Sequence, residues 1–366
     1  MEKWDTQTIQ AFRKTLLDWY DSEGRAHLPW RENHEPYRVL LSEIMLQQTQ
    51  VNTVLPYFER FVTALPTVEA LANAPEEQVL KLWEGLGYYS RARNLQKAAK
   101  YVVNELGGVW PTNSADLLAL PGVGPYTAAA IGSISFNEAV PAVDGNAFRV
   151  FSRLLKIDAD IAQPKTRQLF YDALLPIVDP ARPGDFNQAI MDLGSTYMTA
   201  KNWDVEHSPV KAFDASYRDD VVENYPVKSK KVKSQTSRHL ALALLDDAGN
   251  LLVQQRPSGG LLADLWLMPL VEFTQDDAAA QAHDAAKELF GLDIDFAQLN
   301  IKPVVHVFTH RRWEILVMAA NLTQAQLATL PGKRLAFQTA HDVALPTVEK
   351  KLEKVVAAEW LDTLGV

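Results

Sequence analysis

Two carboxylates of this chain stand where acid chemistry is most natural. Glu43 lies in "RVLLSEIMLQQTQV" (38–51), among Val39, Leu40, Leu41, Ile44, Met45 and Leu46. On a helix its neighbours three and four residues away are Val39, Leu40, Leu46 and Gln47. A carboxyl on so apolar a face loses hydration, which raises its pKa and suits it to donate a proton. The same pattern fits an acid at the edge of an apolar stripe. Asp144, in "AVPAVDGNAFRV" (139–150), stands just before a helix. There it can cap the helix, or lie beside a positive charge developing on a sugar. Together the two form the acid-and-carboxylate pair that glycosidic cleavage employs. The helix amides should keep Asp144 ionised while Glu43 holds its proton.

Two Gly-rich turns accompany them. In "LPGVGPYTA" (120–128), Gly122, Val123 and Gly124 lead through Pro125 into a helix that carries Tyr126. Such a turn can point amides at one DNA phosphate without reading sequence, or simply end one helix and start the next at proline. In "LWEGLGYYSRARNL" (82–95), Tyr88 and Tyr89 follow a Gly-Leu-Gly turn and precede Arg91 and Arg93. Aromatics at a loop tip beside arginines suit insertion into a base stack with phosphate contacts behind, or they pack into the core.

These residues need a scaffold. At 366 residues the chain is long enough for two domains, and 47% hydrophobic residues can build their cores. Residues 1–225 show apolar residues at helical spacing between Gly and Pro stops. The stretch 226–238, within "PVKSKKVKSQTSRH", is basic and reads as a linker, either a solvated tether or a phosphate contact. Residues 239–366 alternate like strands, with a hairpin signal at Asp-Ala-Gly-Asn and a helical "AAAQAHDAAKELFGL", so an α+β domain is expected. Cysteine is absent, which excludes disulfides, thiolate catalysis and cysteine-held metal centres. The net charge of −9 argues mildly against nucleic acid, although averages hide local patches. No apolar run reaches membrane-spanning length, and "MEKWDTQTIQ" resembles no leader peptide, so a cytoplasmic protein is expected.

The motifs "LPWR…PYRVLLSEIMLQQTQV", "LWEGLGYYSRARNLQKAA", "LPGVGPYTAAAIGSISFNEAVPAVDGNAFRV" and "FNQAIMDLG" occur in the order and spacing of one family. They resemble the MutY-type adenine DNA glycosylases of the helix–hairpin–helix superfamily, across nearly all of 25–200. The resemblance implies a six-helix barrel module beside a second helical module, followed by a Nudix-like domain. It implies removal of adenine opposite 8-oxoguanine in duplex DNA, by a monomer. Glu43 then corresponds to the acid that protonates adenine N7, and Asp144 to the carboxylate that stabilises the oxocarbenium-like sugar. Tyr126 and Asn146 support that chemistry, while Trp30, Arg31, Leu46 and Gln188 match adenine-pocket positions. Gln48, Thr49 and Tyr88 match residues that wedge into the duplex. "GGLLADLWLMP" and "HVFTH" extend the likeness, and Phe308, Thr309 and His310 fall at the recognition loop for 8-oxoguanine.

The chain departs from the family at one place. Where four cysteines usually hold a [4Fe–4S] cluster, "MTAKNWDVEHSPVKAFD" offers Met198, Val205, Ser208 and Asp214. No cofactor is therefore expected, and Met, Val and Trp203 should fill the space. The Nudix-like helix "DAAKELFGL" has little acid beyond Glu288, which disfavours nucleotide hydrolysis. Two alternatives remain open. A bifunctional pyrimidine-damage glycosylase/lyase carries a Schiff-base lysine where Tyr126 stands. A non-catalytic damage-binding protein would explain the lost cluster but not the filled acid positions.

Overall fold

The structure is a computed structural model, and it describes residues 1–229, 235–308, 311–336 and 343–359. It divides into two compact units: Met1–Val79 with Ser90–Lys230, and Leu80–Tyr89 with Lys231–Val366. The division does not follow chain order. A ten-residue piece expected to belong to the helical region counts with the later part of the chain.

The first unit is helical, as the spacing predicts. Its helices are α1 (Thr6–Glu23), α2 (Pro36–Leu46), α3 (Val51–Ala64), α4 (Val68–Asn73), α5 (Glu76–Leu82, whose last turn counts with the second unit) and α6 (Ser90–Asn104). They continue with α7 (Ser114–Leu117), α8 (Pro125–Phe136), α9 (Gly145–Leu154), α10 (Thr166–Leu174), α11 (Pro183–Thr196) and α12 (Ala215–Arg218). Proline opens α2, α8 and α11, where a missing amide costs nothing and φ is preset.

Two modules follow from the packing. Helices α2, α3, α4, α6, α7 and α8 pack on one another, and α8 is buried along Thr127–Ile134 with no polar face. The other module gathers α1 and α9 to α12 around Phe12, Phe151, Phe170 and Phe186. Phe12 meets Phe151 and Phe186 edge-on at 6.1 and 6.2 Å. Helix α11 touches both α8 and α9 and so joins the modules.

The start of the supposed linker is tied to this unit. Ile161 N donates to Val227 O at 3.0 Å, and Ser229 N donates to Asp160 Oδ1 at 3.1 Å. Its other end enters a strand at Gln235. The basic stretch is thus shorter as a tether than its composition suggests.

The second unit is built on one sheet. Its strands are β1 (Gln235–Asp246), β2 (Asn250–Gln255), β3 (Trp266–Leu267), β4 (Leu270–Glu272), β5 (Ala297–Gln298), β6 (Val304–Val307), β7 (Arg311–Leu322) and β8 (Lys333–Ala336). The order β3-β2-β1-β7-β5 has β4 added on β1, β6 on β7 and β8 on β2. The expected hairpin is β1–β2, with Leu245 opposite Leu251 and Gly249 at positive φ in the turn. The centre is a parallel pair, β1 and β7, in register from Gln235↔Arg311 to Asp246↔Leu322.

Strand alternation feeds two cores. Leu240, Leu242 and Leu244 pack with α13 (Ala278–Phe290) and α14 (Gln324–Thr329). Ala241, Ala243 and Leu245 pack with Val348, Leu352 and Val356 of α15 (Thr347–Glu359). Among the described residues no helix is long and apolar enough to cross a membrane.

Candidate active site

A cleft of about 1330 Å³ opens in the first unit, lined from α2, the turn before α8, α9 and α11. It collects Trp30, Arg31, Glu43, Leu46, Gln48, Thr49, Gly122, Gly124, Tyr126, Asp144, Asn146 and Gln188. Val123, between the two glycines, is instead buried in the core.

Glu43 is 6% exposed on α2, with apolar neighbours on both sides. Burial pushes its carboxyl up to about 7, and the nearby Asp144 adds to the rise. The Tyr126 hydroxyl donates to Glu43 Oε2 at 2.5 Å, which partly offsets it. Burial holds the Tyr126 phenol well above its usual range, so it stays a neutral donor.

Asp144 is both things the sequence allowed: the N-cap of α9 and a cleft carboxylate. Its Oδ1 accepts from Asn146 N and Ala147 N, each at 2.8 Å, and its Oδ2 accepts from Asn146 Nδ2 at 2.7 Å. These bonds favour the ionised form that the sequence leads one to expect. Burial outweighs them, and the Asp144 carboxyl lies above its usual value. Helix-cap bonds lower a pKa, but enclosure removes more solvation than they return.

Asn146 is fixed in turn by Arg149, which donates to its Oδ1 and to Gly194 O, Gly145 O and Met198 O. Reading the sequence missed Arg149; only its place one helical turn beyond Asn146 hinted at contact.

Arg31 sits behind this pair, buried against Asp192. The fork is bidentate, Nη1 to Oδ2 at 2.7 Å and Nη2 to Oδ1 at 2.9 Å. Arg25 joins the same carboxylate through Nε and its backbone N. Asp192 is 1% exposed, and although burial opposes its charge, the two guanidinium groups hold its pKa below the usual carboxylate value. The sequence reading missed this acid, although it lies four residues after Gln188 on the same helix face. Gln188 itself accepts from Tyr20 OH at 3.3 Å, and Trp30 is braced edge-on by Phe58 at 5.4 Å.

Gln48 follows α2 with φ +58 and is exposed, while Thr49 is half-buried. Arg91, for which the sequence allows either phosphate contact or packing, is buried and caps the end of α2 at Ile44 O, Met45 O and Gln47 O. Arg91 is thereby committed to the helix-end carbonyls rather than to phosphate. Arg93 pairs with Glu76 at 2.8 Å. Gly122 has φ +76, and a Cβ there would lie 2.5 Å from Asn94 Cβ. Gly124 is the N-cap of α8, with open space around it.

The residues at the cluster slots do not fit an iron–sulfur centre. Met198, Val205, Ser208 and Asp214 are all buried, and none supplies a thiolate. Met198 and Val205 join the core, with Trp203 packed against it. Asp214 caps α12 through Tyr217 N at 3.0 Å and accepts from Ser216 Oγ at 2.7 Å.

In the second unit, Tyr88 is 47% exposed at φ +48, and Tyr89 is buried. Phe308 stacks edge-on with His306 at 4.6 Å and Trp313 at 4.8 Å. Thr309 and His310 lie outside the described residues.

Residues 41–174 match the family described as HhH-GPD superfamily base excision DNA repair protein, and residues 240–354 match a NUDIX domain. The chain is similar to the adenine DNA glycosylase of Rattus norvegicus, 35% identical over 96% of this chain and 79% of that one. It is 36% identical to that of Homo sapiens, covering 96% and 75% of the two chains. It is 32% identical to that of Buchnera aphidicola subsp. Schizaphis graminum, covering 94% and 99%. Among solved structures, a thermostable thymine-DNA glycosylase aligns with TM-score 0.51 and 25% identity, over 58% of this chain and 98% of that one.

Proposed function

This chain belongs to the family of adenine DNA glycosylases, enzymes of base-excision repair, and we propose that it removes adenine mispaired with 8-oxoguanine, or with guanine, from duplex DNA. The bond broken is the N-glycosidic bond. The adenine leaves with a proton, and water supplies the new oxygen at C1′.

Trp30, Arg31, Leu46 and Gln188 receive the flipped adenine, whose N7 meets Glu43. Burial keeps a proton on Glu43 near pH 7, so it protonates the leaving base. Like charges in one cleft favour a single shared proton. Asp144 accepts three hydrogen bonds and Glu43 one from Tyr126. The charge therefore belongs on Asp144, facing the cationic sugar, and the proton on Glu43. This pairing on one cleft is the observation that carries the proposal.

Gln48 and Thr49 in the first unit and Tyr88 in the second hold the opened duplex, and the amides of the Gly122–Gly124 turn grip one phosphate. Phe308 helps to read 8-oxoguanine, and Thr309 and His310, outside the described residues, are assigned the same role. Among the described residues that line the cleft there is no lysine, and Tyr126 cannot form a Schiff base. The expected product is an abasic site on an unbroken strand.

The test is a single-turnover assay on an 8-oxoguanine·A duplex, quenched with and without hot alkali. Adenine release with strand breaks only after alkali supports the proposal. Nicking at the rate of base release would favour the lyase reading, and no release would favour a binding protein.

A further inference from the structure

The segment that carries Tyr88 belongs to the second unit. Residues Leu80–Tyr89 group there, with Lys231–Val366, although they lie between α4 and α6 in sequence. Three contacts pin the segment to residues 343–350, where the chain enters α15. Lys81 Nζ donates to Val343 O at 3.3 Å, and Tyr89 OH donates to Leu345 O at 3.3 Å. Glu84 pairs with Lys350 at 2.5 Å and with Lys81 at 2.7 Å.

The acid of this pairing is enclosed and its two lysines are exposed. The Glu84 side chain is 11% exposed, whereas those of Lys81 and Lys350 are 39% and 48%. Its two cations hold the Glu84 carboxyl below its usual value against the opposing effect of burial. Glu353, on the same face of α15 as Lys350, is a further acid near Glu84. Lys350 therefore lies between two acids, and reversing its charge would push the segment away from α15.

The turn is braced by its own hydrogen bonds. Trp83 is fully buried and its Nε1 donates to Gly87 O at 3.1 Å, while Gly85 N donates to Tyr89 OH at 3.3 Å. Gly85 and Gly87 take positive φ, and so does Tyr88. Tyr89 thus closes the turn and also ties it to residue 345. Tyr88, its neighbour, is the exposed ring at the tip.

The geometry points to Glu84, Lys350 and Tyr89 as positioning residues that set the place of Tyr88, so that the Nudix-like unit contributes to lesion discrimination through this ring. The inference rests on the reading of Tyr88 as a wedge at the lesion. A wedge must meet the base stack at a fixed height and angle. Loosening the anchor should blur the preference for 8-oxoguanine over guanine while leaving Glu43 and Asp144 untouched.

The experiment compares single-turnover rates of adenine release from 8-oxoguanine·A and G·A duplexes. Tyr88→Ala, Lys350→Glu, Lys350→Arg, Tyr89→Phe and the Tyr88→Ala/Lys350→Glu double variant are measured, with a melting temperature for each. Tyr88→Ala should lower the ratio of the two rates. Lys350→Glu should lower it by a similar factor, Lys350→Arg should retain it, and the double variant should fall no further than Tyr88→Ala. If Lys350→Glu does not fold, Lys350→Met and Tyr89→Phe carry the same test, with a loss in the same direction. A ratio lowered by Tyr88→Ala but unchanged by every anchor variant would overturn the inference and leave the wedge intact. Additive losses in the double variant would do the same. A ratio unchanged in Tyr88→Ala would remove the wedge reading and this inference with it.

Discussion

The Tyr126 hydroxyl donates to Glu43 Oε2 at 2.5 Å, joining the N-terminal turn of α8 to the most buried acid of the cleft. A neutral phenol that donates to a carboxylate favours its ionised form, and here it works against burial. Tyr126→Phe should therefore move the Glu43 pKa higher and release one orienting contact. The expected result is an alkaline limb displaced to higher pH, with base release at neutral pH slowed by roughly tenfold. A single-turnover pH series on the variant measures both.

Asp192 is the carboxylate partner of two guanidinium groups next to the adenine pocket. Asp192→Asn would leave Arg31 and Arg25 facing an amide that cannot balance their charge. A loss of about 3–5 kcal/mol in folding stability is expected, read by urea denaturation. Asp21→Asn, on the exposed pair with Arg182, should cost less than about 1 kcal/mol.

The two hairpin glycines should separate by their surroundings. Gly122→Ala places a Cβ against Asn94 at positive φ, so about 1–3 kcal/mol of stability should be lost. Gly124→Ala meets nothing within 4 Å and should leave the melting temperature nearly unchanged. Its effect should fall on DNA affinity, because alanine keeps the amide but its methyl group stands in the way of a phosphate approaching it closely. Binding to undamaged duplex and thermal melting together distinguish the two.

Glu349 gives the second unit a pH-dependent stability. It is fully buried on α15, its Oε2 accepts from Met268 N at 3.0 Å, and burial pushes its carboxyl up to about 8. The folded state keeps this proton until about pH 8, whereas the unfolded chain releases it near 4.5. The folded pKa is raised, so its contribution is complete below about pH 4.5 and is lost as pH rises through about 8. Glu349→Gln should flatten that slope, and the advantage of the variant should grow toward pH 8 in thermal melts.

Local pattern made Glu43 and Asp144 candidates, an acid among apolar helix neighbours and an acid before a helix start, but the same patterns equally fit an acid at the edge of an apolar stripe and a plain helix cap. The order and spacing of the longer motifs, not these few adjacent residues, gave the two acids their proposed roles. The hairpin of β1 and β2 was legible locally, through alternation and a turn. What stayed hidden depends on distant partners. For Arg91 the sequence could not choose between phosphate contact and packing, because the α2 carbonyls it caps lie more than forty residues away. The grouping of Leu80–Tyr89 with residues 343–350 spans over 250 positions, as in the Lys81 to Val343 bond, and the parallel pairing of β1 with β7 is equally non-local. The raised pKa of Asp144 was hidden because a cap is visible in sequence and enclosure is not.

The central claim is that Glu43 delivers the proton to the departing base. It is tested most directly by the single-turnover rate of adenine release from an 8-oxoguanine·A duplex between pH 5 and 9, for the unaltered chain and for Glu43→Gln. The predicted wild-type rate falls about tenfold per pH unit once the pH passes the carboxyl value of about 7. The variant should be slower by several orders of magnitude and lack that limb. A Glu43→Gln protein that released adenine at the wild-type rate, with the same alkaline limb, would contradict the account.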